Sequence, residues 1–552
     1  MNATEKNILQ VFEGAFDAAI QNLKIKSLPV KIPFLHLCGL LDAACSKVDA
    51  APHGNVGPSL VSRFSYLLKT FSNCPSDDTT NDQVDIGEDH QMMMHEIKLL
   101  LDYAHFCEIA PFAWRGFYSI QKDNDSITLL WKTVTIQQAE QKDIIISRLA
   151  LPITIDIQHP YCAFYDQCVA TGQEPSLDVV RQMTYKCAES FVRLALECSP
   201  LSDAAMLLAL GVSTEQFRRF RAFWHGFASV HIGMSNAIRR HLEKFPERED
   251  QMQINPYDWV APYLEEDALA RSVMEYADLN TDQYGALMDV YAISPPNIDN
   301  GGEGFFPPFC RVGTRLLVNP WALRGMMSSR NILYAVLNTD QRKFDEHVSP
   351  LLEPQLTEMA VRIFNHLTDV QVVQNYSWGK GEFDLLVYRQ SENCILHVQI
   401  KAAIAPDGAR MTTRVEGRVK EGLKQLQNFR KLDKEQQNSI LAAALGHFVE
   451  DVQVVDVVLC WAGFGTDNIW PSLSAVAPLN LALLAHLVQE NSTRALRTFA
   501  SDSHALIDRI VTGAKPQWGQ VMLQLGSETI SFPNMDCDWG SLVKYQLAVH
   551  SM

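Results

Sequence analysis

Gly381-Glu382-Phe383-Asp384-Leu385-Leu386-Val387-Tyr388, followed by Cys394-Ile395-Leu396-His397-Val398-Gln399-Ile400-Lys401, decides the reading of this chain. Both runs alternate polar and apolar residues with period two, the pattern of half-buried strands. Between them, Gln390-Ser391-Glu392-Asn393 is a polar turn. A turn centred between Ser391 and Glu392 sets Asp384 opposite Gln399 and Glu382 opposite Lys401. Directly opposed side chains of an antiparallel pair have Cβ atoms about 4.5–5.5 Å apart. The pattern therefore predicts Glu382, Asp384, His397, Gln399 and Lys401 on one face of a hairpin. Phe383, Leu385, Val387, Leu396, Val398 and Ile400 fall on the other, the core face. Carboxylates, an amide and an ammonium at one end of one hairpin are more polarity than a structural sheet requires.

That set suits hydrolysis of a phosphodiester. The reaction calls for a divalent cation to polarise the phosphoryl oxygen and supply hydroxide near neutral pH. Hard cations such as Mg²⁺ take oxygen ligands, typically one or two carboxylates with water and phosphate. Asp384 offers a carboxylate, the backbone of Ile400 a carbonyl, and Gln399 an amide oxygen where a glutamate would also serve. Lys401 is placed to orient the attacking water and stabilise developing negative charge. His397 reads as a spectator or a phosphate contact, and Glu382 as a cross-strand partner of Lys401.

Asp384, fourteen intervening residues and then Gln399-Ile400-Lys401 resemble the D…(E/Q)xK signature of the PD-(D/E)xK nuclease superfamily. The Val398-Gln399-Ile400-Lys401 form, with Gln for Glu, is similar to Mrr-like restriction endonucleases. The resemblance implies an α-β-β-β-α-β core over roughly residues 345–465, and flanking segments fit that order. Leu351 to Leu367 reads as a helix with Leu352, Leu356, Met359, Ile363 and Leu367 apolar, Pro354 being tolerable near its first turn. Val370 to Tyr376 reads as a strand. Arg414 to Leu432 reads as a helix with Val415, Val419, Leu423 and Leu426 along its apolar stripe. Val452 to Trp461 reads as the last strand. The family often carries an acid on its first helix, which the resemblance assigns to Glu358. It often carries polar residues on its second, here Lys420, Lys424 and Gln425. The implied catalytic set is Asp384, Gln399, Lys401 and Glu358. Mg²⁺, with Mn²⁺ as substitute, would be held by Asp384, Gln399, Ile400 and Glu358.

Charge supports a nucleic-acid partner locally. The chain has 552 residues, 47 Lys and Arg against 64 Asp and Glu, and a net charge of −17, unlike a protein that coats nucleic acid nonspecifically. From residue 380 to 434, however, eleven basic residues face seven acids, a local +4. Phosphate contacts dominate nucleic-acid affinity, so Lys380, Arg410, Arg414, Lys420, Lys424 and Gln425 are the expected contacts. DNA is the favoured partner over RNA. A homo-oligomer or a regulatory protein partner would restrain cutting.

The remaining sequence sets the frame. Hydrophobic residues make up 47% and charged residues 20%, as in ordinary globular proteins. No apolar run approaches the ~20 residues of a membrane span. The N-terminus lacks a secretory h-region, and twelve cysteines include no CxxC pair, which predicts a cytoplasmic protein with reduced thiols. The fold class is α+β or α/β. A mainly helical accessory region (1–293) leads through a linker and bridging segment (294–344), rich in Pro and Gly, to the nuclease-like core (345–465). A C-terminal extension (466–552), ending in a hairpin about Gly526, packs on that core. Ser213 with Gln216 offers a capping box. The turn before it is arranged like a helix-turn-helix with Arg218, Arg219 and Arg221 exposed, though a helical-bundle corner is the plainer reading. His225 and His231 read as core or surface histidines rather than metal ligands. The sequence thus points to a metal-dependent endonuclease, of the kind found in restriction or anti-phage defence. The rivals are a nuclease-fold binding or scaffold module that no longer cuts, and a helical regulatory protein without a nucleic-acid role.

Overall fold

The computed structural model describes residues 2–48, 71, 74, 90–150, 161–194, 199–246, 254–294, 308–326, 328–379, 381–405 and 409–551. They form a mixed α/β architecture of helices and small mixed sheets. Among them no single helix is long and apolar enough to cross a membrane.

Helix α1 (Ala3–Gln21) starts at Asn2, whose side chain accepts the Glu5 N–H while Glu5 accepts the Asn2 N–H. Its Phe12 and Phe16 meet Phe106 of α3 (His90–Trp114), and α2 (Lys31–Val48) joins the same core. Strands β1 (Tyr118–Asp123) and β2 (Ser126–Trp131) form a hairpin, followed by α4 (Val134–Arg148). Helix α5 (Leu177–Leu194) packs on the long α6 (Thr214–Lys244). The Ser213–Gln216 capping box forms as the sequence predicts. Of the arginines after it, Arg218 and Arg219 are exposed as expected and Arg221 is not. Arg218 and Arg219 both pair with Glu215, and Arg221 is buried. His225 stacks on Phe191, and His231 contacts Phe227 and Trp259, so both are core residues.

Short strands β3 (Tyr263–Glu265), β4 (Ala292–Ile293), β5 (Phe309–Val312) and β6 (Arg315–Val318) make one sheet in the order β3-β6-β5-β4. The expected linker therefore needs correction. Residues 295–307 lie outside the described residues, but those after them pair back onto the preceding region. Helix α7 (Ser329–Thr339) is buried from Ser329 to Val336, which no open bridge would be.

Next come α8 (Ser349–Phe364), β7 (Gln371–Trp378), β8 (Gly381–Arg389), β9 (Cys394–Lys401), α9 (Ala409–Arg430), α10 (Lys434–Leu445), β10 (Gln453–Cys460) and β11 (Ala477–Asn480). The sheet order is β11-β10-β9-β8-β7; β7, β8 and β9 are antiparallel, while β10 runs parallel to β9 and β11 to β10. Leu352, Leu356, Ala360 and Ile363 of α8 share a core with Leu396, Val398 and Ile400. Helix α9 lies over the alternate residues: a Cβ at Gly422 would sit 3.5 Å from Lys401 and 3.7 Å from Gln399, and Phe429 meets the His397 ring. Both faces of β9 are thus covered, and all eight of its residues are buried. Parallel pairing with helices on both sides normally produces such strands, and the half-buried strand expected from alternation is corrected accordingly.

The C-terminal segment divides its contacts. Helices α11 (Leu481–Glu490) and α12 (Phe499–Gly513) pack on α8, β10 and β11. The hairpin β12 (Gln517–Leu525) and β13 (Glu528–Asp536) leaves that core and pairs with β2 through Thr529–Ser531, completing the sheet β1-β2-β13-β12. One hydrophobic core runs from Cys45 to Ala548. The boundaries drawn at 294, 345 and 466 do not interrupt it.

Candidate active site

The β8–β9 register is the one read from the turn. Leu385 opposes Val398 and Arg389 opposes Cys394, with Asn393 at φ +46 closing the turn. Continued by one residue, that register sets Asp384 against Gln399. The ladder stops at Leu385, however, and Asp384 does something else. Its Oδ2 accepts the Ile400 backbone N–H at 2.7 Å, so a side chain takes a donor that a ladder carbonyl would otherwise hold. Asn375, facing Asp384 across β7, has φ +51 inside the strand. The regular alternation breaks there. Phe383 joins Leu386, Tyr388 and Ile395, and its ring lies 4.8 Å from His397 and 5.1 Å from Phe429. Phe383 thus lies beneath α9 on the His397 side, contrary to the face assigned from the sequence. Asp384 sits at the switch.

Lys401 projects under α9 with its ammonium 3.9 Å from Asp384 Oδ2 and 4.0 Å from Glu353 Oε2. Glu382 is not its partner. Burying an ammonium costs several kcal/mol, and one pair near 4 Å returns roughly 4 kcal/mol before other losses. Asp384 is the buried partner, and the partly exposed Glu353 adds a second one that solvent screens. Burial pushes the Asp384 carboxyl up to about 6, against the pull of Lys401 and the Ile400 N–H.

Glu353 is the residue that sequence reasoning missed. It lies four residues before the buried Thr357, on the side of α8 that faces the sheet. Glu358, chosen from the sequence, is exposed and pairs with Arg362 one turn on, so it is not brought to the site. The signal lay in helix phase: α8 buries Leu352, Leu356, Thr357, Ala360 and Ile363, which turns Glu353 inward and Glu358 outward.

Glu353, Glu382, Asp384 and Ile400 line a cleft of about 1130 Å³, closed on one side by Arg414, Gly417, Arg418 and Glu421 of α9. Arg414 is exposed at this wall, and Arg418 pairs with Glu421 at 3.2 Å. Lys420 and Lys424 are exposed on α9 but do not line the cleft. Gln425 is half-buried with its Oε1 unpartnered. Lys380 and the Arg410 side chain lie outside the described residues. Gln399 is fully buried and set behind the cleft wall; its Nε2 donates to the Glu382 carbonyl at 3.1 Å, and its Oε1 has no partner.

Among the described residues no group of three or more His, Cys, Asp or Glu is gathered to cage a metal. The donors at the cleft include the Glu353, Glu382 and Asp384 carboxylates and the backbone at Ile400, while the orphaned Gln399 amide oxygen lies behind its wall. All are oxygens, and so sparse a set fits a hard cation that keeps several waters rather than a thiophilic or imidazole-seeking metal. Compared with protein-family models, curated proteins and solved structures, the chain matches none.

Proposed function

We propose that this chain is a metal-dependent nuclease that hydrolyses phosphodiester bonds, with DNA as the favoured substrate. One observation carries the reading. A buried lysine and a carboxylate pinned by a backbone N–H stand together at the wall of an open cleft, with a second carboxylate opposite. The order of helix, antiparallel strands, helix and parallel strand supports the PD-(D/E)xK resemblance. Asp384, Glu353 and the Ile400 carbonyl would hold Mg²⁺ or Mn²⁺, which would supply Lewis-acid polarisation of the phosphate and acidify water, whereas Gln399, expected among the ligands, is buried behind the wall. Lys401 steadies the negative charge that grows on the phosphoryl oxygens. Arg414 contacts the phosphate backbone and sets its register in the cleft. Asp384 must be ionised to serve.

A place in restriction or anti-phage defence belongs to the same proposal, with paired copies or a protein partner controlling two-strand cutting. One feature favours the non-cutting alternative: Gln399 does not reach the cleft surface. Plasmid DNA incubated with the full chain and Mg²⁺ or Mn²⁺ separates the two. Wild type should nick or linearise it, while Lys401→Ala and Asp384→Ala should lose on the order of 10²-fold or more in rate. Salt-sensitive DNA binding without cleavage in wild type would establish the binding module instead. Equal cleavage by all three proteins would remove the site.

A further inference from the structure

The cleft has two unlike walls. On α9, Arg414, Gly417, Arg418 and Glu421 follow the i, i+3, i+4, i+7 spacing of one helix face, and all four are exposed there. Gly417 lies inside a 22-residue helix, where glycine is the least favourable residue after proline. The other glycine of that helix, Gly422, makes room for Lys401, whose side chain lies 3.5 Å from the missing Cβ. Gly417 makes room for nothing in the protein, since no neighbouring group comes within 4 Å of its missing Cβ. Glycine at such a point lets a ligand approach the backbone closely. The second wall runs from α7 to the start of α8 and is lined by Leu337, Asn338, Gln341, Phe344, Asp345 and Pro350. Asn338 Nδ2 has no hydrogen-bond partner. Among the described residues the cations lining the cleft, Arg414 and Arg418, are both on α9.

From this asymmetry we infer that the cleft takes an unpaired DNA strand, its sugar–phosphate backbone laid on α9 over Gly417 and its bases turned to the wall of α7 and α8. The inference rests on the proposed nuclease reading for the choice of cleft and narrows its substrate. A single strand has one charged edge and one edge of bases, and the two walls match that division. Arginines on either side of a glycine suit phosphates, and the Asn338 and Gln341 amides suit base edges. A duplex carries phosphates along both edges. Filling the cleft, it would press the second row against Asp345 and apolar side chains, where no described cation answers it. Glu353, Glu382 and Asp384 at the cleft also repel a bare phosphate, so strand binding should require a divalent cation.

Fluorescence anisotropy with the full-length protein tests this. The probes are a short labelled DNA strand of mixed sequence and the same strand in a blunt duplex. Ca²⁺ is the cation, because it fills oxygen sites without the strict octahedral geometry of Mg²⁺. The strand should bind roughly tenfold more tightly than the duplex. Gly417→Ala should weaken strand binding on the order of tenfold while the melting temperature holds or rises, since alanine favours the helix and meets no neighbour. A glycine with a merely structural role would change stability and leave binding alone. Arg414→Gln should weaken strand binding and lower its salt slope by roughly one. Duplex bound as tightly as the strand, or strand binding unmoved by Gly417→Ala, overturns the inference. The nuclease reading survives that result if plasmid is still cut in a manner that needs Asp384 and Lys401. Binding of neither probe overturns the inference as well. A strand preference that Gly417→Ala abolishes, in a protein that cuts neither strand nor plasmid, upholds the inference and removes hydrolysis instead.

Discussion

Glu353 and Glu358 share one helix, five residues apart, and only one of them reaches the sheet. Cleavage by Glu353→Gln should fall on the order of 10²-fold, whereas Glu358→Gln should stay within about twofold, since it loses only a solvent-exposed pair with Arg362. Rates on plasmid at saturating Mg²⁺ decide this, and equal effects would return Glu358 to the site. The turn centre, the Asp384–Gln399 register and the nearness of Lys401 to Asp384 were legible in the sequence, because a strand's period of two leaves little freedom once the turn is placed. The acid on α8 was not. An α-helix advances 100° per residue, so choosing it requires a phase good to one position. The apolar stripe read through Met359 was displaced toward Thr357 and Ala360, enough to exchange the two glutamates.

At the scale of elements, alternation identified β8 and β9 but not which face was covered. Helix α9 covers the polar face, so His397, Gln399 and Lys401 are buried where exposure was expected. The break at Phe383 was equally hidden, because it depends on Asn375 adopting φ +51 in the neighbouring strand. Close helix contact makes a second prediction. At Gly226 of α6 a Cβ would lie 2.3 Å from the Thr184 carbonyl and 2.8 Å from the Ala188 N–H nitrogen, both backbone atoms of α5. Neither can swing aside as a side-chain tip would. Gly226→Ala should therefore destabilise by about 1–3 kcal/mol despite alanine's better helix propensity. Gly14 in α1 is exposed with nothing near its missing Cβ, so Gly14→Ala should stabilise by roughly 0.5–1 kcal/mol. Denaturant midpoints at unchanged m-value measure both. A neutral Gly226→Ala would show that α5 and α6 are not so tightly joined.

For the whole molecule, the sequence suggested separable parts, yet β13 pairs with β2 and a buried polar seam ties the helical region to the helices and loops around the five-stranded sheet. Arg115, just past the end of α3, grips Glu416 of α9 at 2.6 Å, Thr466 donates to the same carboxylate, and Asp143 of α4 accepts the Phe464 and Gly465 N–H groups at 2.7 and 2.9 Å. Glu140 stands beside them with one oxygen unpartnered. Long-range contacts such as these leave no periodic trace, which is why no pattern announced them. Arg115 pairs with Glu416, and burial of Glu140 and Asp143 near it favours their protonated forms. Burial, reinforced at Glu140 by Asp143, raises the Asp143 carboxyl from 3.8 to about 7 and the Glu140 carboxyl from 4.5 to about 9. A raised carboxyl pKa means that the folded protein binds more protons than the unfolded chain over this range. The contribution is complete below pH ~4 and is lost as pH rises through 7 and then 9, by at most about 1.4 kcal/mol per pH unit for each proton. Thermal stability should therefore decline from pH 6 to pH 9, and Glu140→Gln, which keeps the shape without the charge, should flatten the upper part of that decline. Calorimetric melts of the two proteins across this range test it, and parallel curves would show that the seam does not hold its proton. Because Glu416 and the cleft-lining Arg414 and Arg418 share α9, loosening the seam at high pH should also weaken cleavage, and Arg115→Ala should reproduce that loss at pH 7 while leaving Asp384 and Lys401 in place.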